Sequence, residues 1–259
     1  WAQDTEEPVA TSGTCGECAW NYDSESQTLT ISPTAAGGRM ADYDAIVESI
    51  DDNQTPWKPF YEQVNKLVIE EGVTYIGVAS LAVLPVEEII IPNSVTEIAD
   101  QAFYLCLYAG NIVIGDGVTK IGERAFYLSG LLANGAKITI GQSVNYIGDH
   151  AFIYSELTVM TCKGSPFETW VNPPAASSCN LVVGEDVWEN WITAYPDLAE
   201  FLKSLRRFAH LPVAICTTRP EDLPRESDVD DISVCCLCFG SLEHPIYIPQ
   251  AKRMARRQT

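Results

Sequence analysis

Three histidines, nine cysteines and 35 carboxylates are the side chains through which this 259-residue chain could do chemistry. His150, His210 and His244 offer few general bases for a Ser-His-Asp or Cys-His site. The carboxylates are scattered over polar positions, with no paired acid and base spacing. Cys15-Gly-Glu-Cys18 has C-x-x-C spacing but lacks the βαβ surroundings of a thioredoxin-like redox motif. It reads as a structural cysteine pair or as buried thiols. Cys235, Cys236 and Cys238 crowd together with no second ligand knuckle, which argues for disulfides or buried thiols and against zinc. Gly37-Gly38 lacks the Lys-Ser/Thr and the strand of a phosphate-binding loop. The expectation is a chain with no catalytic residues, no metal site and no cofactor.

Charge narrows the possible partners. The formal net charge is −19. Residues 203–259 carry 9 Lys+Arg against 7 Asp+Glu, and residues 1–202 carry 7 against 28, a local charge of −21. A surface this acidic repels phosphate backbones and anionic lipid, which disfavours nucleic-acid and membrane-surface binding by the main body. No apolar run approaches the roughly 20 residues that span a bilayer. The sequence opens on Trp1, which reads as a processed or trimmed form. Nine cysteines are an odd number, so at least one is free or paired between chains.

The elements that must position any site come from an internal repeat. Val64–Leu81, Val86–Phe103, Ala109–Phe126 and Gly135–Phe152 share one internal spacing, with starts 22, 23 and 26 residues apart. That period marks a solenoid of short coils. Each coil opens with an alternating strand such as Ile89 and Ile91. A turn follows, for example Pro92-Asn93 or Asp116-Gly117, then a Val-x-x-Ile step (Val95/Ile98, Val118/Ile121). A small-large pair closes it: Ser80-Leu81, Ala102-Phe103, Ala125-Phe126 and Ala151-Phe152. One coil cannot bury these side chains alone, whereas stacked coils bury Ile on Ile and Phe on Phe. Leu157/Val159 and Leu181/Val183 mark two further strands.

These motifs resemble the BspA-like leucine-rich repeats of bacterial secreted and surface proteins. The signature is Ile91–Phe103 (IPNSVTEIADQAF), repeated as IGDGVTKIGERAF and IGQSVNYIGDHAF, with Cys106 where many such repeats place a cysteine. Cys15–Ser32 and Thr55–Gly77 are similar to the family's N-terminal cap, and Leu181–Phe201 to its closing segment. The resemblance implies a right-handed solenoid of the α/β type, a stack of short parallel strands with a β-rich N-terminal cap and a helical C-terminal cap. It also implies an extracellular or cell-surface setting and a role in adhesion or host-protein binding, and it brings no catalytic site.

The expected organisation is a linker over 1–13, a cap over 14–63, the solenoid over 64–184, a helical cap over 185–208 and a Cys-containing segment over 209–259. Trp20, Trp57, Phe60 and Tyr61 are expected to pack over the first coil. If Ile89 and Ile91 face inward, their neighbours face out. The outward set is then Lys66 and Val68, Glu88 and Ile90, Asn111 and Val113, Lys137 and Thr139, and Glu156, Thr158 and Met160. Its middle ladder, Val68–Ile90–Val113–Thr139–Thr158, is an apolar-to-threonine strip of the kind that captures partners. The competing reason for such a strip is that β-branched residues favour strands. Tyr104, Tyr127 and Tyr154 form a second candidate surface. The sequence thus points to a non-catalytic binding module for a protein ligand, with a structural spacer or assembly unit as the alternative and a hydrolytic enzyme as the reading it supports least.

Overall fold

The structure is a computed structural model, and it describes residues 9–46, 54–155, 157–170, 180–183, 190, 193, 214–216 and 235–236. The N-terminal cap is an antiparallel meander of β1 (Ser12–Cys15), β2 (Cys18–Asp23) and β3 (Thr28–Pro33). Period-2 alternation buries Cys18, Trp20 and Tyr22 from β2 and Leu29 and Ile31 from β3. The turn between them is held by the Asp23 carboxylate, which accepts the Glu25 N–H at 2.9 Å and the Ser26 hydroxyl at 2.7 Å. Strand β1 begins inside the segment expected to be a linker: Ser12 and Gly13 pair with Asn21 and Trp20.

The aromatics pack as the cap requires. Trp57 is 1% exposed and meets Trp20 edge-on at 6.0 Å, and Tyr22 stacks on Phe60 at 4.5 Å. Phe60 and Tyr61 lie against the same core from a 3-10 helix, Lys58–Gln63. Strand β3 then pairs in parallel with β4 (Lys66–Ile69), which hands the stack from cap to coil.

Each coil contributes two strands. The longer ones form a ribbon of β6 (Glu88–Ile91), β8 (Asn111–Ile114), β10 (Ala136–Ile140), β12 (Leu157–Cys162) and β14 (Asn180–Val183), paired in parallel. Strands β15 (Ala214–Cys216) and β16 (Cys235–Cys236) extend its far edge. The Val-x-x-Ile steps build a second parallel sheet of β5 (Tyr75–Ile76), β7 (Glu97–Ile98), β9 (Lys120–Ile121), β11 (Tyr146–Ile147) and β13 (Thr169–Trp170). Strands β4 and β6 are neighbours in space but belong to separate hydrogen-bonded sheets.

This corrects the α/β expectation: the coils are a β-solenoid, with tight turns where the α/β form would place helices. Each coil turns instead through left-handed corners, whose positive φ interrupts any right-handed helix. Ala79, Gln101, Arg124 and His150 hold one such corner at φ 48, 55, 50 and 56. Val83, Leu105, Leu128 and Tyr154 hold another at 61, 61, 58 and 57. The helical cap expected over 185–208 lies outside the described residues except for Asn190 and Thr193, which are helical.

The interior is a set of ladders. Ile89 and Ile91 sit on Ile112 and Ile114, and these on Ile138 and Ile140, all at most 1% exposed. Phe103, Phe126 and Phe152 stack with centroids 5.1 and 5.4 Å apart. Burying each ring contributes about 1.5–3 kcal/mol. A polar ladder runs beside them. Cys106 Sγ, Ser129 Oγ and Ser155 Oγ donate to the carbonyls of Leu81, Phe103 and Phe126, in each case one coil back, at 3.3, 2.7 and 2.7 Å. The Phe103 and Phe126 carbonyls also accept the Cys106 and Ser129 N–H at 3.4 and 3.1 Å, so the side-chain bonds fill a second acceptor position.

Candidate ligand-binding face

The outer face of the longer-strand ribbon is where the expected ladders lie. Register places Glu88 beside Asn111, Ile90 beside Val113, Lys137 beside Asn111 and Thr139 beside Val113. Lys66 and Val68 occupy the corresponding positions on β4, where Val68 pairs with Thr30 of the cap. Lys66, Glu88, Asn111 and Lys137 are exposed, and Val68, Val113 and Thr139 are half-buried. Ile90 stands out at 52% exposed, the largest apolar exposure on the ribbon among the described residues. Asn111 Nδ2 donates to Glu88 Oε1 at 2.7 Å, so one rung beside Ile90 is already held in place.

The fifth rung departs from the expectation. Strand β12 carries a bulge opposite Ala136–Lys137, and Lys137 pairs with Val159 while Thr139 pairs with Thr161. Thr161 therefore completes the middle ladder in place of Thr158. The Thr158 hydroxyl turns back to donate to the Ala136 carbonyl at 3.1 Å. Met160, expected to face outward, is 1% exposed and pairs with Ile138 in the interior. The extra residue in a bulge reverses the side of everything after it. Glu156 lies outside the described residues. The strip is thus Val68, Ile90, Val113, Thr139 and Thr161, flanked by Lys66, Glu88, Asn111, Lys137 and Val159.

The tyrosine surface lies elsewhere on the coils. Tyr104 and Tyr127 stack at 5.1 Å, and Tyr154, 65% exposed, meets Tyr127 edge-on at 5.6 Å. With Gln101, Arg124 and His150 they line a concavity of ≈ 510 Å³. Burial, Tyr127 and, in the opposite sense, Arg124 act on the Tyr104 phenol, with a net shift upward. One end of the concavity is occupied by the chain itself. The Gln101 side-chain amide accepts the Ile46 N–H at 2.7 Å and donates to the Ile46 carbonyl at 3.2 Å. Sequence reading missed Gln101 and Ile46, because their 55-residue separation leaves no local signal.

His150 Nδ1 lies 2.8 Å from Asp149 Oδ1, with both side chains about one third exposed. The hydroxyls and thiol of the adjacent coil positions, Cys106, Ser129 and Ser155, point inward and are committed to carbonyls. Among the described residues no cluster of three His, Cys, Asp or Glu is arranged to hold a metal ion. None of the helices there is long and apolar enough to cross a membrane. What the ribbon face offers is shape, one exposed isoleucine, hydroxyls and spaced charges.

The BspA type leucine rich repeat region matches residues 59–169, in six copies. Residues 59–169 are thus similar to BspA-type leucine-rich repeats. This repeat type is consistent with a protein-interaction module. Among solved structures, a leucine-rich repeat protein from Eubacterium ventriosum is similar at 20% identity and a TM-score of 0.42, over 60% of this chain and 45% of that one. The chain thus spans less than half the length of that protein. No curated protein matches it.

Proposed function

We propose that the BspA-type repeat region is a non-catalytic binding module that captures a protein ligand on the outer face of its longer-strand ribbon. The observation that carries this reading is Ile90, half exposed in the middle of a β-branched strip and flanked by Lys66, Glu88, Asn111 and Lys137. An apolar centre with a polar rim is the anatomy of a protein-binding patch. The repeat type also supports a secreted or surface-displayed protein that contributes to adhesion to a host or neighbouring cell.

The test compares the full chain with its Ile90→Lys and Val113→Lys variants, each immobilised and presented with purified extracellular-matrix and cell-surface proteins. A central contact of this kind carries about 2 kcal/mol or more, so capture should fall roughly 30-fold or further. The melting temperature of Ile90→Lys should stay close to that of the parent. Undiminished capture by both variants would remove the ribbon face from the mechanism. Collapse of the fold in Ile90→Lys would show that the residue serves the core.

A further inference from the structure

Two cysteines in the cap have no part in the binding face. Cys15 ends β1, Cys18 opens β2, and the two are direct partners in the antiparallel register. Directly opposite residues project to the same side of a hairpin. Here that side is the core, where Cys15 is 2% and Cys18 0% exposed. Both are thiols in this structure.

Geometry favours a bond between them. Opposed residues in an antiparallel pair have Cα atoms about 4.5 or 5.5 Å apart, depending on the type of pair. A disulfide accommodates about 4.4–6.8 Å. The connecting turn is short and anchored. Gly16 sits at φ 69, a conformation that glycine adopts without strain. The Glu17 N–H donates to the Arg39 carbonyl at 2.7 Å, and the Ala41 N–H donates to the Cys15 carbonyl at 3.2 Å. Even a Cβ on Gly16 would press on the 39–41 backbone. The turn is thus held in the form that keeps Cys15 and Cys18 opposed.

We propose that Cys15 and Cys18 are a cross-strand disulfide site, closed during folding by a small-molecule disulfide such as oxidised glutathione. One cysteine thiolate attacks the donor disulfide and displaces the first donor thiol. The other attacks the resulting mixed disulfide, forms the Cys15–Cys18 bond and displaces the second. Two protein thiols lose two protons and two electrons, and the donor's S–S bond becomes two thiols. The timing follows from burial. In the folded cap, burial pushes the Cys15 thiol up to about 12 and the Cys18 thiol up to about 11, which leaves little thiolate to react. The bond forms before the cap closes and is then shielded from reductants.

The experiment uses the full chain, unfolded under reducing conditions and refolded with oxidised glutathione. Free thiols are then alkylated in denaturant and the protein is digested with trypsin. Cleavage after Arg39 releases residues 1–39, which contain Cys15 and Cys18 and no other cysteine. The expected product is that peptide without alkylation and about 2 Da lighter than its dithiol form, as a two-electron oxidation requires. Dithiothreitol should open the bond in urea and leave it intact in the native protein. A Cys15→Ala/Cys18→Ala variant refolded the same way should melt about 4–8 °C lower. Recovery of peptide 1–39 with two alkyl groups after oxidative refolding would overturn the proposal. So would a link from either cysteine to any residue beyond position 39.

Discussion

Replacing Phe126 with alanine removes the middle ring of the Phe103–Phe126–Phe152 stack. The ring is fully buried and lies 5.1 and 5.4 Å from its two neighbours. Truncating a buried phenylalanine costs about 3–5 kcal/mol. Each offset-stacked aromatic pair contributes about 0.5–1.5 kcal/mol beyond its buried area. Phe126 makes two such pairs, whereas Phe103 has Leu81 of the first coil at the matching position on its other side. Phe126→Ala should therefore cost about 5 kcal/mol and Phe103→Ala about 1 kcal/mol less. In a solenoid the loss falls on the two interfaces of one coil, because each repeat touches only its neighbours. Hydrogen exchange in moderate urea, resolved by segment, reads this directly. In the parent, β2, β3, β8 and β10 should open together. In Phe126→Ala, β8 and β10 should exchange first while β2 and β3 keep their protection. A loss below about 2 kcal/mol, or one no larger than for Phe103→Ala, would refute the nearest-neighbour stacking account.

Other substitutions probe the remaining ladders. Burial pushes the Cys106 thiol from the usual 9.0 up to about 12, so the folded state holds this proton more tightly than the unfolded chain does. Its contribution is complete below about pH 9 and is lost as pH rises toward 12, by up to about 1.4 kcal/mol per unit. The melting temperature of the parent should consequently fall more steeply above pH 9 than that of Cys106→Ala. Ser129→Ala deletes the 2.7 Å bond to the Phe103 carbonyl and should cost about 0.5–1.5 kcal/mol in urea unfolding, since the Cys106 N–H still donates to that carbonyl. Gly141→Ala would drive a Cβ into the Gly115 carbonyl of the preceding coil, a backbone contact that no rotamer relieves, and should cost about 1–3 kcal/mol. Gly110→Ala meets the Ala133 side chain at 3.5 Å and two backbone oxygens at 3.9 Å, ordinary contacts, and should change denaturant midpoints little by comparison.

Repetition made the longer strands legible. A buried Ile at every second position and an Ala-Phe pair at a constant offset admit one stacking register, and the structure keeps it through β10. The fifth rung was not legible, because alternation alone cannot reveal a bulge. Leu157 and Thr158 both face Ala136, and this single extra residue moves Met160 inward and Thr161 outward. The corners were hidden for a different reason. Left-handed positions announce themselves when glycine or asparagine fills them, and here they hold Ala79, Gln101, Arg124 and His150. Strand β1 was hidden by its polar, exposed residues, Ser12, Gly13 and Thr14, which carry no core pattern. The ribbon face was read correctly over four rungs because outward residues are fixed once inward ones are known. The Gln101–Ile46 clamp depends on a chain crossing that only the folded molecule displays.

The separation of β4 from β6 has a mechanical meaning. From the second coil to the fifth, hydrogen-bonded strands join both sides of the stack, as β6–β8 and β7–β9 do. Between the first and second coils the β5–β7 pairing and the corner bonds from the Ala79, Leu81 and Val83 N–H to the Asp100, Ala102 and Tyr104 carbonyls hold the seam, without a longer-strand ladder. Tension applied along the stack would meet one strand ladder fewer at that seam than between the second coil and the fifth. A chain stretched between its ends in a force experiment should part there first, with the cap and first coil leaving as one body and the edges of β4 and β6 laid bare. In a chain under load, that seam would act as the fuse.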